Sequence, residues 1–220
     1  MLLLTAATDN EMAAFLDACP TPQGVATLVT GVGPVETAVR MSAFLATTTT
    51  RPTAVVNFGV AGAYVVHGQE SAALLEICVA EQEVLADLGI CEQDEVKLLQ
   101  GEAFELEDRL ELDAGLLDRA TTLLAAAQVP FKRGVFATVN CASGTQKRGE
   151  MIAQQRQALC ENMEGFAAAR ACRHFEVPLL ELRCISNLVV DRNCQNWQLS
   201  KACRRCGEVV ALIVNELRGE

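Results

Sequence analysis

Two short segments in the second half of the chain carry side chains that could act together on one small molecule. Met163-Glu164-Gly165 supplies a carboxylate, and Arg183-Cys184-Ile185-Ser186-Asn187 supplies a guanidinium and an amide. The interval between the two segments fits one helix and one strand. In open α/β sheets, ligands bind at the carboxyl ends of the strands. We therefore expect the acid, the arginine and the amide to meet at one buried site.

Each of these three side chains also has a purely structural interpretation. Glu164 follows an apolar segment and opens a predicted helix, where the helix dipole favours an ionised carboxylate. It could accept two hydrogen bonds from a vicinal diol such as that of ribose, or it could only stabilise the helix. Arg183 interrupts an apolar strand and needs an acidic or polar partner, which Glu181 could supply. Asn187 could equally be a turn residue.

Two glycine-rich segments follow other predicted strands. Residues 31–36 begin like a dinucleotide-binding loop, but Pro34 interrupts the loop and Glu36 replaces its third glycine. The sequence therefore argues against a Rossmann cofactor site. The backbone N–H groups of this loop could still bind an anion or a hydroxyl, or the loop could be a tight turn into a helix. The segment Gly59-Val60-Ala61-Gly62 would let the backbone approach a ligand closely and form the floor of a pocket.

The composition excludes several classes of protein. A chain of 220 residues, 50% hydrophobic and 21% charged, is long enough for one well-buried domain, which we place at residues 1–220. A formal net charge of -10 argues against a nucleic-acid partner. The sequence has no apolar run long enough to span a membrane, and its start lacks the basic flank of a signal peptide. We therefore predict a cytoplasmic protein with no membrane partner.

The ten cysteines are interpreted in the same way. Without an export signal the compartment should be reducing, so most of the cysteines should be small core residues rather than disulfide partners. Cys203 and Cys206 have CxxC spacing and Cys194 lies nearby, so a metal or redox role has to be considered. However, neither His67 nor His174 is close in sequence, and a shared buried helix face explains the pair as well. We predict no metal and no cofactor.

The order of the elements predicts an α/β domain with a largely parallel sheet, because apolar β-branched runs alternate with helical patterns. The predicted strands are residues 2–7, 25–30, 53–58, 73–79, 133–139, 158–162 and 178–185. The predicted helices are residues 34–46, 113–127, 164–175 and 199–217. Glu11 follows the first strand, so it joins the candidates at the strand ends.

The chemistry-bearing segments, taken in this order, resemble the nucleoside phosphorylase and nucleosidase superfamily over almost the whole chain. The segments are Glu11, Gly59-Val60-Ala61-Gly62, Met163-Glu164-Gly165 and Arg183-Cys184-Ile185-Ser186-Asn187. A further set is similar to the futalosine hydrolase family, the menaquinone-pathway relative of methylthioadenosine/S-adenosylhomocysteine nucleosidase. That set is Val84-Leu85-Ala86-Asp87-Leu88-Gly89-Ile90, Thr138-Val139-Asn140, Gly144-Thr145, Ile185-Ser186-Asn187, Arg192-Asn193 and Trp197.

The resemblance implies a single three-layer α/β domain whose mixed, barrel-like central sheet is flanked by helices. It also implies a homo-oligomer, a dimer or larger, that acts on a purine nucleoside. Glu11 would orient or deprotonate a water molecule and Arg183 would help to hold that water. Met163 would pack on the ribose and Glu164 would bind its hydroxyls. We predict the remaining substrate contacts at Gly59, Val60, Ala61, Phe136 and Ser186.

Asn187 stands where the resemblance implies an aspartate in the adenine-specific nucleosidases. Adenine offers an N7 acceptor and an amino donor, whereas hypoxanthine offers two acceptors, N7 and O6. The two amide hydrogens of asparagine match the second pattern, so Asn187 favours a 6-oxopurine. Phe58, Phe136 and Phe166 could cover the purine or the 5′ substituent, or could be core residues. Arg192 and Lys201 are candidates to bind the aryl carboxylate of the substrate.

The reaction implied by the resemblance is hydrolysis of the N-glycosidic bond of futalosine, which releases hypoxanthine. A purine nucleoside phosphorylase and a methylthioadenosine/S-adenosylhomocysteine nucleosidase remain alternatives. Phosphorolysis needs several arginines around one anion, and only Arg40 and Arg183 lie at or near strand ends. The third alternative is a catalytically silent nucleoside-binding protein, against which the presence of Glu11, Glu164 and Arg183 argues.

Overall fold

The computed structural model describes residues 1–92, 95–99 and 106–218. Its strands are β1 (Leu2–Ala6), β2 (Val25–Val29), β3 (Ala54–Val66), β4 (Gln69–Glu70), β5 (Ile77–Leu85), β6 (Gly89–Glu92), β7 (Glu95–Leu98), β8 (Arg109–Glu111), β9 (Phe131–Thr138), β10 (Ala158–Asn162) and β11 (Leu179–Val189). Its helices are α1 (Asp9–Ala18), α2 (Pro34–Thr47), α3 (Ala114–Ala126), α4 (Gln146–Arg156), α5 (Gly165–His174) and α6 (Leu199–Leu217), and a 3₁₀ turn spans Cys194–Asn196.

A closed barrel lies at the centre of the sheet. Its strands follow the order β10, β9, β5, β11 and β3, and β10 closes the ring by pairing with β3 as well as with β9. The barrel mixes parallel pairs, such as β11 with β3, with antiparallel pairs, such as β11 with β5. Strands β1 and β2 extend the sheet from β3 in parallel. The predicted α/β class with a mixed, barrel-like sheet is confirmed.

Helices cover the sheet on both faces. One apolar cluster joins α1, α3 and α6 to residues such as Leu4, Val56 and Leu182, and a second joins α2 and α5 to the opposite face. Helices α1 and α6 approach especially closely at Gly207, where a Cβ would lie 2.5 Å from the carbonyl oxygen of Ala14. None of the helices in the described part of the chain is long and apolar enough to cross a membrane.

The structure lengthens or shifts three of the predicted strands. β3 continues to Val66 and β11 to Val189, well past the predicted ends at residues 58 and 185. The glycines and alanines of β3 indicated a strand end, but small residues also fit the crowded interior of a barrel. A bulge between Ile185 and Asn187 lets β11 keep its pairing with β3 beyond the predicted end. β5 covers Ile77–Leu85 rather than residues 73–79.

Two helices are additions to the sequence prediction. α4 is a polar helix with Gly149 in its middle, so its sequence carries only a weak apolar stripe. α1 begins with a capping box, in which Thr8 and Glu11 bond reciprocally to each other's backbone N–H groups. The effect of α1 on the site is direct, because it places Glu11 at the carboxyl end of β1.

Candidate active site

A cavity of about 330 Å³ opens near the carboxyl ends of β1, β3, β10 and β11. Its lining includes most of the residues that the sequence analysis selected: Glu11, Val60, Ala61, Met163, Glu164, Ser186 and Asn187. A groove of about 640 Å³ between α1 and α6 adjoins the cavity and shares Thr8, Glu11, Val60 and Leu199 with it. Glu11, in the first turn of α1, therefore lies where the cavity and the groove meet.

The Glu11 carboxylate is held by three donors. Its Oε1 accepts a hydrogen bond from the N–H of Val60 at 3.1 Å, and its Oε2 accepts from the N–H and the hydroxyl of Thr8 at 3.0 and 2.8 Å. Only 6% of Glu11 is exposed. Since the donors come from the helix cap and from β3, the fold fixes the direction in which this carboxylate faces the cavity.

Gly59 allows this carboxylate to approach Arg183. A Cβ at Gly59 would collide with Oε1 of Glu11 and would lie 2.9 Å from Nη1 of Arg183. The two charged groups therefore converge on the space that a side chain at this position would fill. A carboxylate beside a guanidinium is an arrangement that can orient a water molecule and accept a proton from it. The absence of a side chain at Gly59 is thus part of the site.

Arg183 connects two further carboxylates. Its Nε and Nη2 lie 2.9 and 2.8 Å from Oε1 of Glu181, and its Nη1 lies 3.4 Å from Oε2 of Glu164. With the amide of Asn57 turned so that its oxygen faces the guanidinium, Asn57 also accepts from Nη2 at 3.0 Å. The side chain is 1% exposed, so its charge is compensated within the protein. The structural partner that the sequence offered, Glu181, is confirmed.

Glu164 lies between Arg183 and the glycine loop. The N–H of Gly33, a residue with φ 95°, donates to Oε1 of Glu164 at 3.1 Å. The sequence analysis left open whether the N–H groups of this loop bind a ligand or the loop is only a tight turn, and one of these N–H groups positions a carboxylate of the site. Burial raises the pKa of Glu164, while the charge of Arg183 and the bond from Gly33 oppose that rise. Each carboxylate oxygen keeps a lone pair for a further donor, as a diol-binding group requires.

Glu181 also forms a buried pair with a second glutamate, Glu83, which the sequence analysis did not select. Glu83 accepts from the hydroxyl of Thr138 at 2.7 Å and from the amide of Asn162 at 2.6 Å, and it faces Glu181. Burial, followed by the charge of Glu181, raises the pKa of Glu83 well above its ordinary value. Gly165 makes room for the pair, since a Cβ there would lie 2.6 Å from Oε1 of Glu181.

The amide of Asn187 has a defined orientation. Ser186 Oγ lies 2.8 Å from Asn187 Oδ1 and 3.3 Å from the carbonyl oxygen of Ala61, so its single proton goes to the nearer acceptor. The carbonyl end of the amide is thereby engaged. Its NH₂ group lies 3.4 Å from the carbonyl oxygen of Leu188. Asn187 is part of β11 rather than a turn, and it lines the cavity.

Several aromatic and basic candidates lie elsewhere. Phe136 is fully buried inside the barrel and does not line the cavity. Phe58 packs on Phe15 with ring centroids 6.0 Å apart, and Phe166 belongs to the core under α5. These rings therefore occupy core positions, the alternative that the sequence analysis kept open. Among the basic candidates, Arg192 lines the cavity and stacks on the Trp197 ring at 5.0 Å, whereas Lys201 is exposed on α6 and does not line it.

The cysteine pair lies on α6, where Cys206 is buried in the core and Cys203 is partly exposed beside the groove. Within residues 1–92, 95–99 and 106–218, no group of three or more His, Cys, Asp or Glu side chains is arranged to hold a metal ion. The following cysteines are free thiols: Cys19, Cys78, Cys141, Cys160, Cys172, Cys184, Cys194, Cys203 and Cys206.

Comparisons with known proteins agree with this architecture. Residues 23–217 match the family model described as the phosphorylase superfamily. A futalosine hydrolase of Thermus thermophilus is 31% identical over 196 residues, which cover 89% of this chain and 84% of the relative. A methylthioadenosine/S-adenosylhomocysteine nucleosidase structure from Helicobacter pylori superposes with a TM-score of 0.83 at 19% identity, covering 98% of this chain and 97% of the other. A native futalosine hydrolase structure from the same organism gives the same TM-score, identity and coverage. At such identities the structural likeness shows the fold.

Proposed function

Starting from the fact that this chain belongs to the phosphorylase superfamily, we propose that it is a nucleosidase that hydrolyses the N-glycosidic bond of futalosine and releases hypoxanthine. The 31% identical relative carries the name futalosine hydrolase, and this chain spans most of its length. We propose that this reaction needs no metal and no cofactor.

The orientation of the Asn187 amide is the observation that carries the choice of base. Because Oδ1 is engaged by Ser186, the amide turns its two hydrogens away from that bond. N7 and O6 of hypoxanthine are both acceptors, so both can be satisfied by one NH₂ group. For adenine, the amide would have to turn over, so that Ser186 accepts from its NH₂ group and its oxygen faces the carbonyl oxygen of Leu188. Two acceptors brought together in place of a hydrogen bond cost about 1–3 kcal/mol.

We propose a reaction in which departure of the base runs ahead of water attack. As the bond between the anomeric carbon and the purine nitrogen breaks, its electron pair moves onto the purine, and the amide of Asn187 stabilises the growing charge. Glu164 holds the ribose hydroxyls. The water oxygen bonds to the anomeric carbon while Glu11 accepts the water proton, and Arg183 fixes the carboxylates around it. The departing purine anion then takes up a proton from solvent to become hypoxanthine, and Glu11 returns its proton to solvent. Such positioning supplies several kcal/mol of barrier reduction, on the order of 7–11 kcal/mol in the best cases.

The charges around the site favour water over phosphate as the nucleophile. Arg183 is already shared between Glu181 and Glu164, and Arg40 forms an exposed ion pair with Glu36 on α2. Of the residues described in the structure, Arg192 is the one cationic side chain that lines the cavity. A phosphate dianion would meet carboxylates on several sides and would lack the arginine clamp that binds it.

One assay tests the reaction. The protein is incubated with futalosine, inosine and methylthioadenosine, each with and without phosphate, and the free base is measured. We expect phosphate-independent release of hypoxanthine from futalosine at the highest kcat/KM of the three. Release that requires phosphate would identify a phosphorylase, faster release of adenine would identify the adenine nucleosidase, and no release from any nucleoside would favour a silent binding protein.

A substitution tests the role of the water-activating carboxylate. Glu11→Gln should lower kcat by about 100-fold or more while futalosine still binds, because an amide cannot accept the water proton. Asp9→Asn is the matched control, since it removes an acidic charge from the same first turn of α1 at an exposed position. Normal turnover in Glu11→Gln would remove this residue from the mechanism.

We also propose that the protein is a homo-oligomer of the cytoplasm, a dimer or larger, that acts in menaquinone biosynthesis. Val32, Val35 and Val39 are 56%, 71% and 62% exposed and form an apolar stripe at the start of α2, and Val32 also lines the cavity. An exposed stripe of this kind is typical of a contact surface. The free thiols fit a reducing compartment. Light scattering measures the assembly, and Val39→Lys should shift it to the monomer.

A further inference from the structure

A second polar side chain faces the cavity beside Asn187. Glu161 lies on β10, is 7% exposed, and lines the same cavity. Its Oε1 accepts from the N–H of Ser143 at 2.8 Å, and its Oε2 accepts from the Ser143 hydroxyl at 2.7 Å. Burial raises the pKa of Glu161, and the two bonds from Ser143 oppose that rise. The proposed reaction gives this buried carboxylate no role.

Barrel closure brings Glu161 and Asn187 together over one glycine. Gly62 on β3 pairs with Glu161 of β10 on one side and with Asn187 of β11 on the other. A Cβ at Gly62 would lie 3.0 Å from Nδ2 of Asn187 and 3.6 Å from Cγ of Glu161. The missing side chain thus leaves a space that is bordered by the amide nitrogen of Asn187, a methyl group of Val189 and the Cγ methylene of Glu161.

These two groups are complementary to the full edge of a 6-oxopurine. Such a ring presents two acceptors, N7 and O6, followed by one donor, the N1–H. Adenine presents an acceptor at N1 instead. An amide can be turned over to suit either base, whereas an ionised carboxylate offers acceptors in every orientation. Asn187 alone therefore permits both adenine and a 6-oxopurine, whereas an ionised Glu161 would permit only the 6-oxopurine.

We propose that Glu161 accepts a hydrogen bond from the N1–H of the bound 6-oxopurine and so excludes 6-aminopurines. This assignment rests on the proposed function, because it assumes that the leaving base is hypoxanthine. Ser143 holds the carboxylate from the side of the loop before α4, and Glu161 has further lone pairs on both oxygens for the ring N–H.

Binding of free bases tests the contact without depending on turnover. Dissociation constants of hypoxanthine, 1-methylhypoxanthine and adenine are measured by calorimetry for the wild type, Glu161→Ala, Glu161→Gln and Ser143→Ala. In the wild type, methylation at N1 should weaken binding by about tenfold or more, because it removes the donor and fills the space beside the carboxylate. In Glu161→Ala this penalty should fall to within about threefold. Ser143→Ala keeps the carboxylate and should keep most of the penalty.

The isosteric variant Glu161→Gln is included because misfolding of Glu161→Ala could also explain a change in base affinity. Glu161→Gln supplies a donor that adenine N1 can accept, so the hypoxanthine-to-adenine ratio of affinities should fall by about tenfold. A methyl penalty of wild-type size in Glu161→Ala, or an unchanged ratio in Glu161→Gln, would overturn the assignment and leave Glu161 as an anchor for Ser143. Turnover of futalosine by the wild type is measured in parallel. Its absence, with base selectivity intact, would refute the reaction and not the contact.

Discussion

Asn187→Asp is the substitution that most directly tests the choice of base. In the structure, Asn187 Oδ1 accepts from Ser186 at 2.8 Å, and its Nδ2 lies 3.4 Å from the carbonyl oxygen of Leu188. In the variant, the oxygen next to Ser186 keeps its donor. The second oxygen takes the place of the NH₂ group, so it faces a carbonyl oxygen and the acceptor edge of a 6-oxopurine.

The expected magnitude follows from the number of hydrogen bonds that are lost. One unpaired acceptor in a buried site costs about 1–3 kcal/mol, which corresponds to a factor of about 5–150 in kcat/KM. For an adenine nucleoside the same change is favourable when the new carboxyl is protonated, because it then offers one donor and one acceptor. Protonation is aided by burial and by the neighbouring charge of Glu161, which lines the same cavity. The ratio of futalosine to methylthioadenosine turnover should therefore fall by at least about tenfold.

The assay compares kcat/KM for futalosine and methylthioadenosine in the wild type and in Asn187→Asp. Asn193→Asp is the control, because Asn193 is exposed, lies in the loop that follows β11, and uses its side-chain oxygen to cap the 3₁₀ turn. The same change of charge there should leave the ratio unchanged. A ratio within about twofold of the wild-type value in Asn187→Asp would refute the reasoning about the amide, whatever the overall activity.

Three further substitutions test the buried charges. Gly59→Ala should lower kcat by about tenfold or more while the fold is retained, because the new methyl group displaces Glu11 and Arg183; turnover with circular dichroism checks this, and wild-type kcat would contradict it. Arg183→Ala should lower the free energy of unfolding by about 3–5 kcal/mol, measured in urea, because the variant leaves buried carboxylates without their cation; a loss below about 1 kcal/mol would contradict it. Glu83→Gln concerns pH: the pKa of an unfolded glutamate is about 4.3 and the folded pKa of Glu83 is raised, so the contribution of Glu83 to the free energy of unfolding is fully present below pH ~4.3 and is lost as the pH rises through the folded pKa. The variant lacks this loss, so its stability relative to the wild type should increase between pH 5 and pH 8, and an equal difference at both values would speak against the account.

Much of the site was predictable from sequence because strand ends in this type of sheet lie close together. Glu11, Met163, Glu164 and Asn187 were selected as residues that follow apolar runs, and the structure places all four around one cavity. Phe136 was selected as an aromatic residue that could cover the purine or the 5′ substituent, and its ring is inside the barrel. The sequence does not show which face of β9 is enclosed, since that depends on which strands close the ring.

Glu161 and Glu83 were not selected for a related reason. Each is an acidic residue within an apolar strand, and its partners come from distant parts of the chain: Ser143 lies 18 residues from Glu161, and Asn162 lies 79 residues from Glu83. A buried carboxylate in a strand is itself a signal, because charges are rarely buried without a partner. What the sequence could not provide was the pairing of β10 with β3, which places Glu161 beside the cavity.

The capping box at the start of α1 links local motion to activity. The carboxylate of Glu11 lines the cavity, and its Oε2 also closes the first turn of the helix through Thr8. When that turn frays, as helix ends do, the carboxylate loses its orientation together with the cap. The hydrogen-exchange rate of the Thr8 amide should therefore report the fraction of molecules whose site is unassembled, and substrate that binds the assembled form should slow this exchange. In this enzyme, fraying of the first turn of α1 and loss of the Glu11 orientation are therefore the same equilibrium.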